Sequence, residues 1–458
     1  MKTKFLFINF RITMKSYYKT YAIISRSVRK EQCLLIASLI MLNLFLAGCY
    51  SSATKSKAYN SKLPVKVEPI LIHQLGSEHF GNAIYRRGKE GTRIAASGTR
   101  ILEWPIHENA PVTEVVPYDS ARYNNGACAI DVNNDNIDEM IVARTVNNSG
   151  TNLLWFEEVA GQKQWREHLI GYVANEEGEP GIHDIMPFEV KVLDTQVAGV
   201  VILVNRRRLF WYQIPDNTSQ PWIQHFIADL HANGAEVPQS GLALGDINGD
   251  GRMDLVCGNF WAECPSNTIN YSWQVHRYST WDRRSTPIFP EIPVWVKDEP
   301  FGGMNQLDLG DMDADGKLDI VATDAEIPDA RIGVFCRNSE EPNGLWTETV
   351  IDKGLYCPHS LVLADVNKDN RMDILTGEMT AGGWWFPRTP SPKLYLYLNQ
   401  GNMKFQKYIL HEGWGIHMMR MAQKQPQDKI FIFAADEIQS WNKDMTTHIV
   451  GWTISPKQ

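Results

Sequence analysis

The nonapeptide DMDADGKLD, Asp311 to Asp319, is one of four copies, with small variations, in this 458-residue chain. The other copies are DVNNDNIDE from Asp131, DINGDGRMD from Asp246 and DVNKDNRMD from Asp365. Each copy sets oxygen-bearing side chains at its first, third, fifth and ninth positions: Asp131, Asn133, Asp135 and Glu139; Asp246, Asn248, Asp250 and Asp254; Asp311, Asp313, Asp315 and Asp319; Asp365, Asn367, Asp369 and Asp373. With a backbone carbonyl at the seventh position, that spacing offers a hard cation such as Ca²⁺ the oxygen ligands it takes from a short loop. One copy could be an ordinary Asx-rich turn, but four at one spacing argue for a repeated metal loop.

The flanks say what kind of repeat it is. Each loop follows a short apolar run (ACAI, GLALG, QLDLG, SLVLA) and precedes another (EMIVA, DLVCG, DIVAT, DILTG), so the unit is strand, loop, strand. A helix-flanked EF-hand, which closes on Glu at position 12, is excluded. Degenerate copies without the ligands lie at Gly88, Glu189 and Gln423, giving seven anchors separated by 43, 58, 57, 65, 54 and 58 residues. That period suits a four-stranded blade, and the aromatic segments RILEW, LLWFEE, LFWYQI, GGWWF and EIQSW are expected to be third strands. The expected fold is all-β, a seven-bladed β-propeller over residues 66–458 with Ca²⁺-binding loops in four blades. The calcium is expected to be structural, tying strand to strand where a blade shares its core only with its neighbours.

These tandem loops resemble the FG-GAP/VCBS repeats of integrin-like propellers. The propeller also resembles that of aldos-2-ulose dehydratase and, more loosely, those of propeller-type polysaccharide lyases. The resemblance implies the fold and raises carbohydrate chemistry; it places no catalytic motif residue by residue.

The N-terminus reads as an address. Basic residues up to Lys30 precede an apolar run from Leu34 to Leu46 and then Leu46-Ala47-Gly48-Cys49. LAGC resembles the lipobox of bacterial lipoproteins, which implies a signal peptide at 1–48, lipidation of Cys49 and a flexible Ser/Lys-rich tether over 49–65. Tyr50 after the lipidated cysteine favours the outer membrane of a Gram-negative bacterium, with a membrane contact made through the lipid alone. Removing the signal segment leaves 37 basic against 52 acidic residues, a formal charge of -15, so nucleic acid is not an expected partner. Cys128, Cys257, Cys264, Cys336 and Cys357 form no recognisable disulfide or CxxC framework, and nothing in the chain calls for more than a monomer.

Used as rulers, the anchors point to the opposite face. Six residues before each one lie Asn82, Asn125, His183, Ser240, Asn305, His359 and His417, all polar, while four before lie Ile84, Ala127, Ile185, Leu242, Leu307, Leu361 and Met419, all apolar. Six residues of strand span about 20 Å, the height of a blade, so the polar set is expected to ring the axial mouth. Around it come His79, Tyr123, Tyr356 and Trp414, with Asp184 and Arg420 a step further in. The competing reading is that polar residues at strand starts cap the sheet.

Two functions fit such a mouth. One is β-elimination on a uronate-containing glycan, with His183, His359 or His417 as base and Tyr123 or Tyr356 as acid; Arg420, Asn82, Asn125 and Asn305 would hold the acidic substrate and Trp414 would stack on a ring. A glycosidase is less favoured, because no acidic pair recurs there. The alternative is a non-catalytic, lectin-like glycan-binding or adhesion lipoprotein; the uneven distribution of His and Asn among blades favours one axial site over repeated pockets.

Overall fold

The computed structural model describes residues 63–457 except 75–77, 79, 107–110, 118–122, 124–125, 147–149, 160, 177–180, 193–194, 268–271, 282–303, 305, 325–326, 339–342, 381–388, 390, 423–428 and 437–445. The signal segment, Cys49, most of the tether, His79, Asn125 and Asn305 lie outside the described residues.

The chain enters on β1 (Val65–Gln74), so the strand begins at the last residue assigned to the tether. Six blades then follow in order of sequence. They are β2 (Phe80–Gly88) to β5 (Thr113–Val116) through β3 (Gly91–Gly98) and β4 (Ile101–Pro105); β6 (Ala127–Ile130), β7 (Glu139–Val146), β8 (Gly150–Glu157) and β9 (Arg166–Ala174); and β10 (Ile182–Val192), β11 (Thr195–Val204), β12 (Arg208–Gln213) and β13 (Ile223–Asp229). Next come β14 (Leu242–Gly245), β15 (Asp254–Cys257), β16 (Phe260–Glu263) and β17 (Gln274–Arg277); β18 (Gln306–Gly310), β19 (Asp319–Thr323), β20 (Pro328–Cys336) and β21 (Thr347–Tyr356); and β22 (Pro358–Ala364), β23 (Asp373–Glu378), β24 (Lys393–Asn399) and β25 (Phe405–Glu412). The seventh blade has only β26 (Met418–Ala422), β27 (Ile430–Ala435) and β28 (His448–Pro456) from the C-terminal end, and β1 completes it as the outermost strand.

The closure runs antiparallel from Val65 opposite Pro456 to Gln74 opposite His448. The innermost strands neighbour one another in order, and β26 neighbours β2, so the ring shuts. Period-two patterns such as VKVEPILIHQ and KLYLYLN alternate side chains between the two faces of a blade, and each face must meet the next blade. The buried apolar residues accordingly form seven clusters, one at each blade junction. The seven apolar positions four before the anchors are all buried in them or beside them.

The aromatic expectation holds for Trp104, Trp155 and Trp211, which are buried on the third strands β4, β8 and β12. GGWWF and EIQSW lie outside the described residues. The third strands of the last two blades are β24, with Tyr395 and Tyr397, and β28, with Trp452. The alternating pattern of β24 sends its Leu side chains to the junction with the last blade and Tyr395 and Tyr397 to the junction with the blade before.

Candidate functional site at the axial mouth

The mouth is built by bulges. Register shifts fall between Phe80 and Asn82 in β2, between Ile182 and Asp184 in β10 and between Pro358 and Ser360 in β22. The extra residue bends the strand start and re-aims its side chain. Bonds from one blade to the next then join these starts: Asn82 Nδ2 donates to the Tyr123 carbonyl (3.1 Å), Ser240 Oγ to Met304 (3.0 Å), His359 Nδ1 to His417 (3.0 Å) and His417 Nδ1 to Gly81 (2.6 Å). Among the described residues, the polar strand starts of these four blades work as a belt that satisfies backbone carbonyls around the axis.

Several sequence assignments change in consequence. Asn82 is buried and also donates to Ser97 Oγ, so it is a belt residue rather than a substrate ligand. Tyr123 sits in the junction between the first two blades, edge-on to Phe156 with Arg144 donating to its hydroxyl, which removes it from the candidate acids. His359 and His417 are buried and stacked, ring centroids 4.1 Å apart, with both Nδ1 atoms held by carbonyls. Trp414 lies over His411 (4.3 Å) and packs on the last two blades. The Tyr356 hydroxyl is buried with no hydrogen-bond partner among the described residues, and burial pushes its pKa up, helped by Cys357 and Glu378.

His183 is different. Its side chain keeps 23% of its exposure, and Nδ1 donates to Asp184 Oδ2 at 2.7 Å. Consecutive residues meet this way because His183 is the bulged residue. Burial pushes the Asp184 pKa up, but His183, the Gly241 N–H (3.3 Å) and Arg206 outweigh it and hold the carboxylate below its ordinary range. The imidazole is thereby fixed with Nδ1–H toward a carboxylate and Nε2 as the remaining basic nitrogen.

Deeper in the channel stands Arg420. Its guanidinium makes one hydrogen bond among the described residues, from Nη1 to the Met419 carbonyl (3.3 Å), and no direct ion pair. Burial lowers its pKa, while Asp184, Cys128 and Asp308 act in the opposite sense across the channel. Asp308 accepts from the Leu363 N–H of the next blade (2.8 Å), and burial raises it to about 6. Gln306 Nε2 reaches Met418 Sδ at 3.6 Å, a contact between non-adjacent blades. Arg206, in the turn between β11 and β12, donates to Ser240 Oγ (3.1 Å) and the Gln239 carbonyl. A left-handed turn at Asn205 and Arg206 (φ 49° and 48°) turns it inward, which no periodicity announces.

At the other end the four acidic loops share one conformation. The first-position carboxylate accepts the fifth- and sixth-position N–H groups, as with Asp311 from Asp315 (3.1 Å) and Gly316 (2.9 Å), and the fifth accepts the seventh. The fourth and sixth positions are left-handed throughout: Asn134 and Asn136, Gly249 and Gly251, Ala314 and Gly316, Lys368 and Asn370. Carboxylate oxygens of Asp311, Asp313 and Asp315 lie within 4.8 Å of one another, a donor set that fits a hard cation. The ninth-position carboxylates are buried against the strand and accept the second-position N–H, Asp319 from Met312 at 2.8 Å for instance. Burial raises Glu139 to about 7 and Asp254, Asp319 and Asp373 to about 6, so they close the loop as well as facing it.

The family model of the FG-GAP-like repeat matches residues 311–376, and that of the FG-GAP repeat matches 239–261. The chain carries FG-GAP repeats. The matched FG-GAP segments hold the loops at Asp246, Asp311 and Asp365, and the loop at Asp131 repeats their hydrogen bonds outside them. No curated protein matches this FG-GAP propeller.

Proposed function

We propose that the propeller acts on uronate-containing glycans by β-elimination at the axial mouth. The observation that carries this reading is the His183–Asp184 pair, an oriented and accessible base, facing a channel in which Arg420 has donors to spare. Arg420 binds the uronate carboxylate and draws charge from the adjacent carbon. His183 Nε2 takes the proton α to that carboxylate, and the C–H electron pair becomes the new double bond as the C4–O bond breaks. The imidazolium returns its proton to the departing oxygen. A departing water makes the enzyme a dehydratase and a departing sugar makes it a lyase.

The FG-GAP loops hold structural Ca²⁺ in this reading, through Asp311, Asp313 and Asp315 and their counterparts in the other three blades. A lipid on Cys49 anchors the protein, as a monomer, to the outer membrane. The alternative, glycan binding without turnover, draws support from His359 and His417, whose ring nitrogens serve the belt.

Incubation of the mature protein with uronate oligosaccharides tests the choice. The ultraviolet absorbance of a 4,5-unsaturated product is expected, together with its loss in His183→Ala by at least about 100-fold, the usual scale of general base catalysis. Binding without absorbance or mass change overturns elimination and leaves the lectin-like reading.

A further inference from the structure

A cavity of about 330 Å³ opens at the seam where β1 closes the ring beside the first blade. Its walls are His73 and Gln74 from the end of β1, Glu78 just before β2, Arg100 in the β3–β4 hairpin, and Leu102, Val112 and Glu114. All of the first four belong to the end of the blades where the innermost strands start, so the cavity opens on the same face as the axial mouth.

We propose that this seam cavity is a second glycan subsite, one that takes an uncharged pyranose. Its volume stands at the low end of the small-molecule range of about 300–1,000 Å³, which suits one or two sugar rings. Leu102 and the exposed Val112 supply an apolar patch for a ring face, while Gln74 and two carboxylates supply amide and oxygen partners for hydroxyls. The carboxylates are held in place rather than loose. Arg100 donates from Nε to Glu78 (2.8 Å), from Nη2 to the same carboxylate and from Nη1 to Glu114 (2.6 Å), and Thr447 Oγ1 donates to the Glu78 carbonyl.

Charge decides the ligand class. One guanidinium against two carboxylates leaves the wall net negative, and that cation is already paired with both of them. Burial, with Arg100 adding to it and Glu78 opposing, lowers the His73 pKa, which disfavours a second cation in the wall. A uronate or phosphate would meet one more carboxylate than the wall has cations. A hydroxyl donor meets acceptors that are already pre-organised.

The inference does not require turnover at the axis, and its test reads binding alone. Calorimetry of the whole mature protein against a panel of neutral methyl hexopyranosides, with methyl glucuronide as the charged control, is the measurement. At least one neutral glycoside is expected to bind, with at least about tenfold loss in Gln74→Ala and in Val112→Trp, a substitution at an exposed position that fills the cavity without disturbing the core. His183→Ala leaves that binding unchanged. No binding by any neutral glycoside, or binding that survives Val112→Trp, overturns the proposal, as does tighter binding of the glucuronide that Val112→Trp abolishes.

Discussion

His417 shows what single residues do in this ring. Its imidazole closes the belt from the last blade onto the Gly81 carbonyl of the first, so His417→Ala leaves a buried acceptor unpaired. A loss of about 1–3 kcal/mol in urea unfolding is expected, whereas His231→Ala, on an exposed turn, stays within about 0.5 kcal/mol. Asp308 gives a pH signature. Its pKa rises from 3.8 to about 6 on burial, so the folded chain keeps a proton that the unfolded chain has released in that interval. Its stabilising effect is whole below pH 3.8 and is lost as pH climbs through about 6. Asp308→Asn, which cannot ionise, is expected to remove this decline, on the order of 3 kcal/mol, from melting curves recorded across that range.

At the scale of elements, the FG-GAP loops and the strand starts sit at opposite ends of the same innermost strands. Chelation by EGTA is expected to lower Tm, since a loop filled at a hundred times its Kd contributes about 2.7 kcal/mol. The double substitution Asp311→Asn with Asp313→Asn is expected to remove about a quarter of the Ca²⁺-dependent stabilisation, one loop of four, followed by differential scanning calorimetry with and without the ion. The loops were legible because their chemistry is local: four carboxylate or amide positions within nine residues, with Gly or Asn at most of the places where the backbone turns left-handed. The mouth was legible only as a set of polar positions. Whether Asn82 faces a ligand or the Tyr123 carbonyl depends on a bulge and on a residue from the next blade, and neither leaves a periodic trace. The His183–Asp184 contact escaped for the same reason, since neighbours on a regular strand point apart. The third strands of the last two blades, β24 and β28, went unread because their aromatic residues are spread through alternating apolar runs rather than gathered in one cluster.

For the whole molecule, the seven cores lie between blades rather than within them, so no blade buries its own faces alone. Stability therefore depends on the ring being shut. β1 does this by pairing with β28 along its length, and Lys457 N–H reaches the Pro64 carbonyl at 3.3 Å, beside the Val65–Pro456 pair. The ends of the folded chain thus meet as neighbours in one sheet. A short linker from residue 457 back to 64 should let the polypeptide be cut open elsewhere, for example in the turn at residues 216–219 between β12 and β13, with the propeller and its far-ultraviolet spectrum preserved. Loss of cooperative melting in that rearranged chain would show that order of synthesis matters to assembly. If it folds, the starting point of the sequence is an accident of the gene, and the wheel itself has a seam but no beginning.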